Sequence, residues 1–87
     1  MVIYIGNFPQ ETSEKDLQTA FKPFGEIKFA TIIKDKISSR VLGFGFVDMP
    51  SKKAGTAAIE ALHGAKLKGR TIIVAETKER IDRRKKM

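Results

Sequence analysis

The sequence predicts an α+β domain, a single four-stranded sheet with two helices packed against one of its faces. Three observations lead there. Four short stretches rich in β-branched and aromatic residues, near residues 2–5, 27–34, 42–49 and 71–75, read as strands. Two further stretches, opened by Ser13 and Ser51, carry apolar residues at helical spacing. The connections in the resulting order, βαββαβ, are too short to supply a layer over the second face of the sheet, so both helices must share the first. The 87 residues make one such domain, burying roughly 60–65% of the surface that an unfolded chain exposes.

In the first strand, alternation sends Ile3 and Ile5 to one side and Tyr4 to the other. Residues 6–12, with Pro9, form the loop that leaves it. Ser13 is placed to cap a helix, and Asp16, three residues on, is the acidic half of a capping box. Leu17, Ala20, Phe21 and Phe24 then fall at i, i+3, i+4 and i+7, one apolar stripe. Gly25 suits the end of this helix, and Pro23 predicts a tightened last turn. The second strand is ambiguous in facing: strict alternation groups Ile27, Phe29, Thr31 and Ile33 without saying which side they take. Residues 35–39 form a hairpin turn into the third strand. Past Pro50, Ser51 opens a second helix with Gly55, Ala58, Ile59 and Leu62 as its stripe and Gly64 as its stop. Gly55 costs this helix about 1 kcal/mol of propensity, as a tolerated weakness or in exchange for a closer approach to the sheet. Residues 65–70 read as a turn anchored by Leu67. In the last strand Ile72 and Val74 share one face, Ile73 and Ala75 the other.

The third strand, Leu42-Gly43-Phe44-Gly45-Phe46-Val47-Asp48-Met49, bears most directly on function. Alternation gathers Leu42, Phe44 and Phe46 on one face and Gly43, Gly45, Val47 and Met49 on the other. A glycine inside a strand marks a close approach, and since these two share the face of Val47 and Met49, the expected visitor is a helix lying across the sheet. Phe44, Phe46 and Tyr4 are then left on the uncovered face. An isolated strand phenylalanine is core more often than surface; Phe21 and Phe24 are assigned to the core, but parity reverses the odds for these three rings. Arg40 has the parity of Leu42 and Phe44, which carries its guanidinium towards the same face. Rings beside a formal net charge of +7 point to a platform on which nucleic-acid bases stack.

The octapeptide resembles the longer sequence box of the RNA recognition motif family, which reads Lys/Arg, Gly, Phe/Tyr, Gly/Ala, Phe, Val, any residue, Phe/Tyr. Positions two to six agree; Leu42 departs from the basic first position and Met49 from the aromatic eighth. Ile3-Tyr4-Ile5-Gly6-Asn7-Phe8 resembles the family's shorter box, in the right order and at about the usual distance. The resemblance spans roughly residues 2–75, and in compactness and in its Phe-Val-Asp-Met ending the strand is most similar to small single-motif RNA-binding proteins of bacteria. It implies the ferredoxin-like βαββαβ arrangement, an antiparallel sheet in the order 4-1-3-2, with Tyr4 beside Phe44 and Phe46 on the two central strands. It also implies that Ala30 and Ile32 are buried and that Phe29 joins the open face. The function implied is binding of single-stranded RNA, with bases on Tyr4 and Phe46 and with Phe44 against sugars. Around the rings, Phe29, Lys34, Arg40, Leu42 and Ile73 are candidate contacts, Arg40 in part replacing the missing base at position 42. Asn7 is a further candidate, although a turn residue bonding its own backbone is its more common role.

The domain is expected to occupy residues 1–76, followed by a basic tail at 77–87. In that tail Arg83, Arg84, Lys85 and Lys86 could grip RNA or simply solubilise the chain. Cysteine is absent, which excludes disulfides and thiolate metal sites and suits a reducing compartment. With no apolar run near the ~20 residues of a membrane span, the chain is expected to be soluble, cytoplasmic and monomeric, without cofactor or metal. His63, the single histidine, reads as a helix-end residue. Catalysis is not expected: Gly43-Phe44-Gly45 lacks the third glycine and the following helix of a dinucleotide fingerprint. An acylphosphatase-like site would need an arginine in the loop after the first strand, and residues 6–12 hold neither arginine nor lysine. The expected partner is single-stranded RNA, with single-stranded DNA bound more weakly. The expected role is RNA chaperone or post-transcriptional regulator. The competing reading is a protein-interaction module whose exposed face docks an apolar segment of a partner.

Overall fold

Two serines set where the helices begin in the computed structural model, which describes residues 1–38 and 40–77. The Ser13 hydroxyl accepts from the Asp16 N–H at 3.2 Å, and the Asp16 carboxylate accepts from the Ser13 N–H at 2.8 Å, the reciprocal box that opens α1 (Glu14–Phe21). The Ser51 hydroxyl accepts from the Ala54 N–H at 3.1 Å and opens α2 (Lys52–Leu62). Pro23 tightens the end of α1 into a 3-10 turn, Lys22–Phe24, as its missing N–H requires. The sheet consists of β1 (Val2–Gly6), β2 (Phe29–Lys34), β3 (Val41–Asp48) and, after a small hairpin of β4 (Lys66–Leu67) and β5 (Arg70–Thr71), β6 (Ile73–Thr77). Its order is β2-β3-β1-β6 with every pairing antiparallel. Counting β6 as the fourth main strand, this is the ferredoxin-like order 4-1-3-2.

Alternation distributes the side chains as expected. Ile3, Ile5 and Val47 of the central strands, with Met49 just past the end of β3, are fully buried under Leu17 and Phe21 of α1 and Ala58 of α2, and Ile32, Ile72 and Val74 complete the core. Phe8, from the loop after β1, joins them; its N–H bonds the Gly43 carbonyl at 3.2 Å. The ambiguous strand resolves with Ile27 and Ala30 packed against the core, Ile32 within it, and Phe29 44% exposed on the other face. Among the described residues, no helix is long and apolar enough to cross a membrane.

The strand glycines need correction. The close visitor at Gly45 is the adjacent strand β2, not a helix: a Cβ there would run into the Thr31 carbonyl oxygen, with Ile32 Cα only 3.2 Å away. Gly43, at φ +91°, lies in a bulge where the pairing steps from Ile32↔Gly45 to Lys34↔Val41. Gly45→Ala is therefore expected to cost about 1–3 kcal/mol, because two backbones would have to part. Urea denaturation measures it; an unchanged midpoint would mean that the strands separate without penalty. The open alternative at Gly55 also closes. This buried glycine meets the Met1 side chain, and an added Cβ would lie against Met1 Sδ and 3.3 Å from its Cγ.

Residues 65–70, read from the sequence as a turn, instead contain a hairpin. Lys68 and Gly69 both take positive φ, 51° and 86°, as a two-residue turn between antiparallel strands requires. Lys68 Nζ lies 3.4 Å from the Asp16 carboxylate and ties the hairpin to α1. The Ser13 N–H, the largest influence, and Lys68 hold Asp16 below its ordinary value of 3.8, although partial desolvation opposes them. A lowered native pKa stabilises the fold above pH 3.8, and the contribution is lost as pH falls through the lower native value. Ser13→Ala removes only the hydroxyl cap and should cost about 0.5–2 kcal/mol at neutral pH, whereas Asp16→Asn, which removes the titrating carboxylate, should shrink the acid-induced loss of stability. Thermal melts from pH 6 down to about pH 2 test this, and parallel curves for the wild type and Asp16→Asn would rule the Asp16 carboxylate out as the source.

Candidate nucleic-acid interface

On the helix-free face, β1 and β3 pair Tyr4 with Phe46 and Gly6 with Phe44, which sets the three rings side by side. The centroids of Tyr4 and Phe44 are 6.1 Å apart at an interplanar angle of 34°. Tyr4 and Phe46 are also 6.1 Å apart at 62°, and Phe44 and Phe46 are 6.5 Å apart at 89°. These tilted and edge-on contacts are the favourable arrangements for aromatic quadrupoles, so the rings hold one another without filling the face. Gly6 makes room: a Cβ there would strike the Tyr4 ring, which lies over it with Cζ at 2.8 Å. Each ring is half-buried, sealed below by the sheet and open above.

The other sequence candidates fall around this cluster. Phe29 stands on the same face opposite Asp48, outside the three-ring group. Ile73 (47% exposed) faces Gly6 from β6, and Leu42 is 51% exposed. Lys34 is exposed at the far end of β2. Strict alternation aims Arg40 at this face, but the bulge at Gly43 interrupts that alternation. Its backbone belongs to the β2–β3 turn, where its carbonyl accepts from the Asp35 N–H at 2.8 Å. The Asp35 carboxylate organises that turn, accepting from the N–H groups of Ser38 (2.8 Å) and Ile37 (3.2 Å) and from the Ser38 hydroxyl. These bonds, the Ser38 N–H foremost, hold its pKa below 3.8. Arg83, Arg84, Lys85 and Lys86 lie outside the described residues.

Two polar residues depart from expectation. Asn7, at φ +67°, does not bond its own backbone: its amide donates to the Thr71 carbonyl at 2.7 Å. In return Arg70 Nε donates to the Asn7 carbonyl and Arg70 Nη2 to Asn7 Oδ1, both at 3.2 Å. Sequence reasoning missed Arg70, because the contact joins residues 63 positions apart and no local pattern marks it. With Tyr4, Leu42, Phe44 and Ile73 it lines an open hollow of about 500 Å³ at one end of the ring cluster. His63 caps α2, as expected, with its backbone N–H on the Ile59 carbonyl. Its Nδ1 also accepts from the Val74 N–H at 3.1 Å, which binds the end of α2 to β6.

Comparison with known proteins agrees with this architecture. RbpB of Nostoc sp. (strain PCC 7120 / SAG 25.82 / UTEX 2576) is 43% identical over 83 residues, covering 95% of this chain and 81% of that protein. RbpA of Synechocystis sp. (strain ATCC 27184 / PCC 6803 / Kazusa) is 41% identical over 83 residues, covering 95% and 82%. Among solved structures, that of RNA Binding Protein PG1 is similar at a TM-score of 0.88 and 37% identity, over 91% of this chain and 95% of that one. The Sxl-lethal protein/RNA complex is similar at 0.82 and 27% identity, over 87% of this chain and 47% of that one. The family model of the RNA recognition motif matches residues 3–73. That match runs from the first core residue of β1 to the first residue of β6 and takes in both strands that carry the rings, so the chain belongs to the RNA recognition motif family.

Proposed function

We propose that this chain binds single-stranded RNA across the helix-free face of its sheet, without catalysing a reaction. Bases stack on Tyr4 and Phe46 while Phe44 packs against the sugars between them, over a site of about two to four nucleotides. The observation that carries this reading is the cluster of three mutually braced rings on a face that no described element covers. A paired base has its faces occupied by its neighbours, so a duplex cannot use such a platform. Phe29, Leu42 and Ile73 extend the apolar surface, and Lys34 and Arg40 supply positive charge at its margin. The names of PG1 and of the Sxl-lethal complex, which mention RNA, support the same ligand. A monomeric RNA chaperone or post-transcriptional regulator in the cytoplasm is the role we assign, with single-stranded DNA a weaker ligand.

Fluorescence anisotropy with a short labelled oligoribonucleotide tests this, set against DNA of the same sequence and duplex RNA over a range of salt. Single-stranded RNA is expected to bind best, with affinity falling steeply as salt rises. A preference for duplex would contradict the stacking mechanism. Affinity for apolar peptides, flat in salt, with no RNA binding would favour the protein-docking use of the same exposed residues. Removing residues 81–87 is expected to lower the logarithmic salt slope by roughly 0.7 for each phosphate that the shortened protein no longer neutralises. An unchanged slope would mean that Arg83, Arg84, Lys85 and Lys86 do not touch RNA.

A further inference from the structure

The hollow beside Arg70 has a composition that the stacking face alone does not explain. Its walls combine the apolar and aromatic side chains of Tyr4, Phe44, Leu42 and Ile73 with the polar Asn7 and Gln10, and among the residues lining it Arg70 is the only charged one. Among the described residues the guanidinium is anchored but not neutralised. Both of its protein acceptors, the carbonyl and the amide oxygen of Asn7, are uncharged, and among the described residues no carboxylate lies within ion-pair distance of it. Asn7 is fixed in turn by its bond to the Thr71 carbonyl, and the hairpin carrying Arg70 is tied at its turn by Lys68 to Asp16. A guanidinium presents five N–H donors in a rigid fork. Two are engaged by Asn7, which fixes its orientation, and the remaining three have no acceptor among the described residues, while the charge stays delocalised over the whole fork.

We infer that this hollow is a phosphodiester subsite for the RNA strand, with Arg70 gripping a backbone phosphate and Asn7 positioning it. The inference rests on the proposed RNA-binding use of the ring face and extends it by one nucleotide position, at the end bounded by Gly43 and the β4–β5 hairpin. A phosphate fits better than a protein carboxylate, because a strand whose bases stack on Tyr4 and Phe46 carries a negative charge at every nucleotide step.

Affinity for a single-stranded oligoribonucleotide, measured against salt for the wild type, Phe46→Ala, Arg70→Gln and Arg70→Lys, provides the test. Arg70→Gln is expected to weaken binding roughly tenfold at low salt and to reduce the logarithmic salt slope by about 0.7, the value for one single-strand phosphate. Arg70→Lys should keep the slope and lose part of the affinity, since the charge stays and the fork is gone. In the wild-type protein the Arg70 Nε–H resonance is expected to shift as RNA is added, a readout that needs no variant to fold. If Phe46→Ala weakens binding while Arg70→Gln leaves affinity and slope unchanged and the resonance does not move, the subsite is refuted and the platform stands. An unchanged slope with altered preference among bases would overturn the phosphate assignment in favour of a base edge. If the wild type binds no RNA, both readings fall together.

Discussion

Phe21→Ala is expected to destabilise the domain by about 3–5 kcal/mol, the usual result of emptying a buried aromatic site. Phe21 has no exposed surface and sits beneath β1 and β3 in the middle of the core. Phe46 lies on the central strand β3 as well, yet its ring is on the opposite face and half-buried. Phe46→Ala should therefore cost much less, chiefly its edge interactions with Tyr4 and Phe44, each worth about 0.5–1.5 kcal/mol. Urea denaturation of the two variants side by side makes the comparison. Equal losses would mean that the ring face is core.

The second large effect is on binding. Tyr4→Ala and Phe46→Ala are each expected to weaken single-stranded RNA binding by about 1–3 kcal/mol, the worth of one base stack. In affinity that is about fivefold to 150-fold. Together with the stability comparison, this separates platform from core. A variant that keeps its fold and fails to hold RNA is missing a binding surface. A Phe46→Ala protein with unchanged stability and unchanged affinity would exclude the sheet as the RNA site.

What could be read from the sequence was local or periodic. The Ser13–Asp16 box and the stripe of Leu17 and Phe21 lie within a few residues of one another, so α1 was legible, including the turn at Pro23. Parity placed Tyr4, Phe44 and Phe46 together because two-residue alternation holds along β1 and along β3 beyond the bulge. The facing of Phe29 was not settled by periodicity and came from the family resemblance. What failed depended on pairing between strands. The glycines of β3 announced a close approach, but only the register against β2 shows that the neighbour is Thr31. The same register puts a bulge between Arg40 and Phe44, so alternation could not aim Arg40. The β4–β5 hairpin turns on a lysine, Lys68, held at positive φ, a conformation that composition does not announce. Phe8 and Arg70 were invisible for a related reason: the partners that place them, Gly43 and Asn7, are distant in the chain.

The central claim, that RNA lies across the helix-free face of the sheet, is tested most directly by NMR titration of the labelled protein with a randomised single-stranded RNA. The account predicts shifts concentrated in β1 and β3, at Tyr4, Phe44, Phe46 and their neighbours, with the outward faces of α1 and α2 undisturbed and with duplex RNA causing far smaller changes. Shifts confined to the exposed lysines of the helices, Lys15, Lys52 and Lys53, or equal responses to single-stranded and duplex RNA, would contradict it.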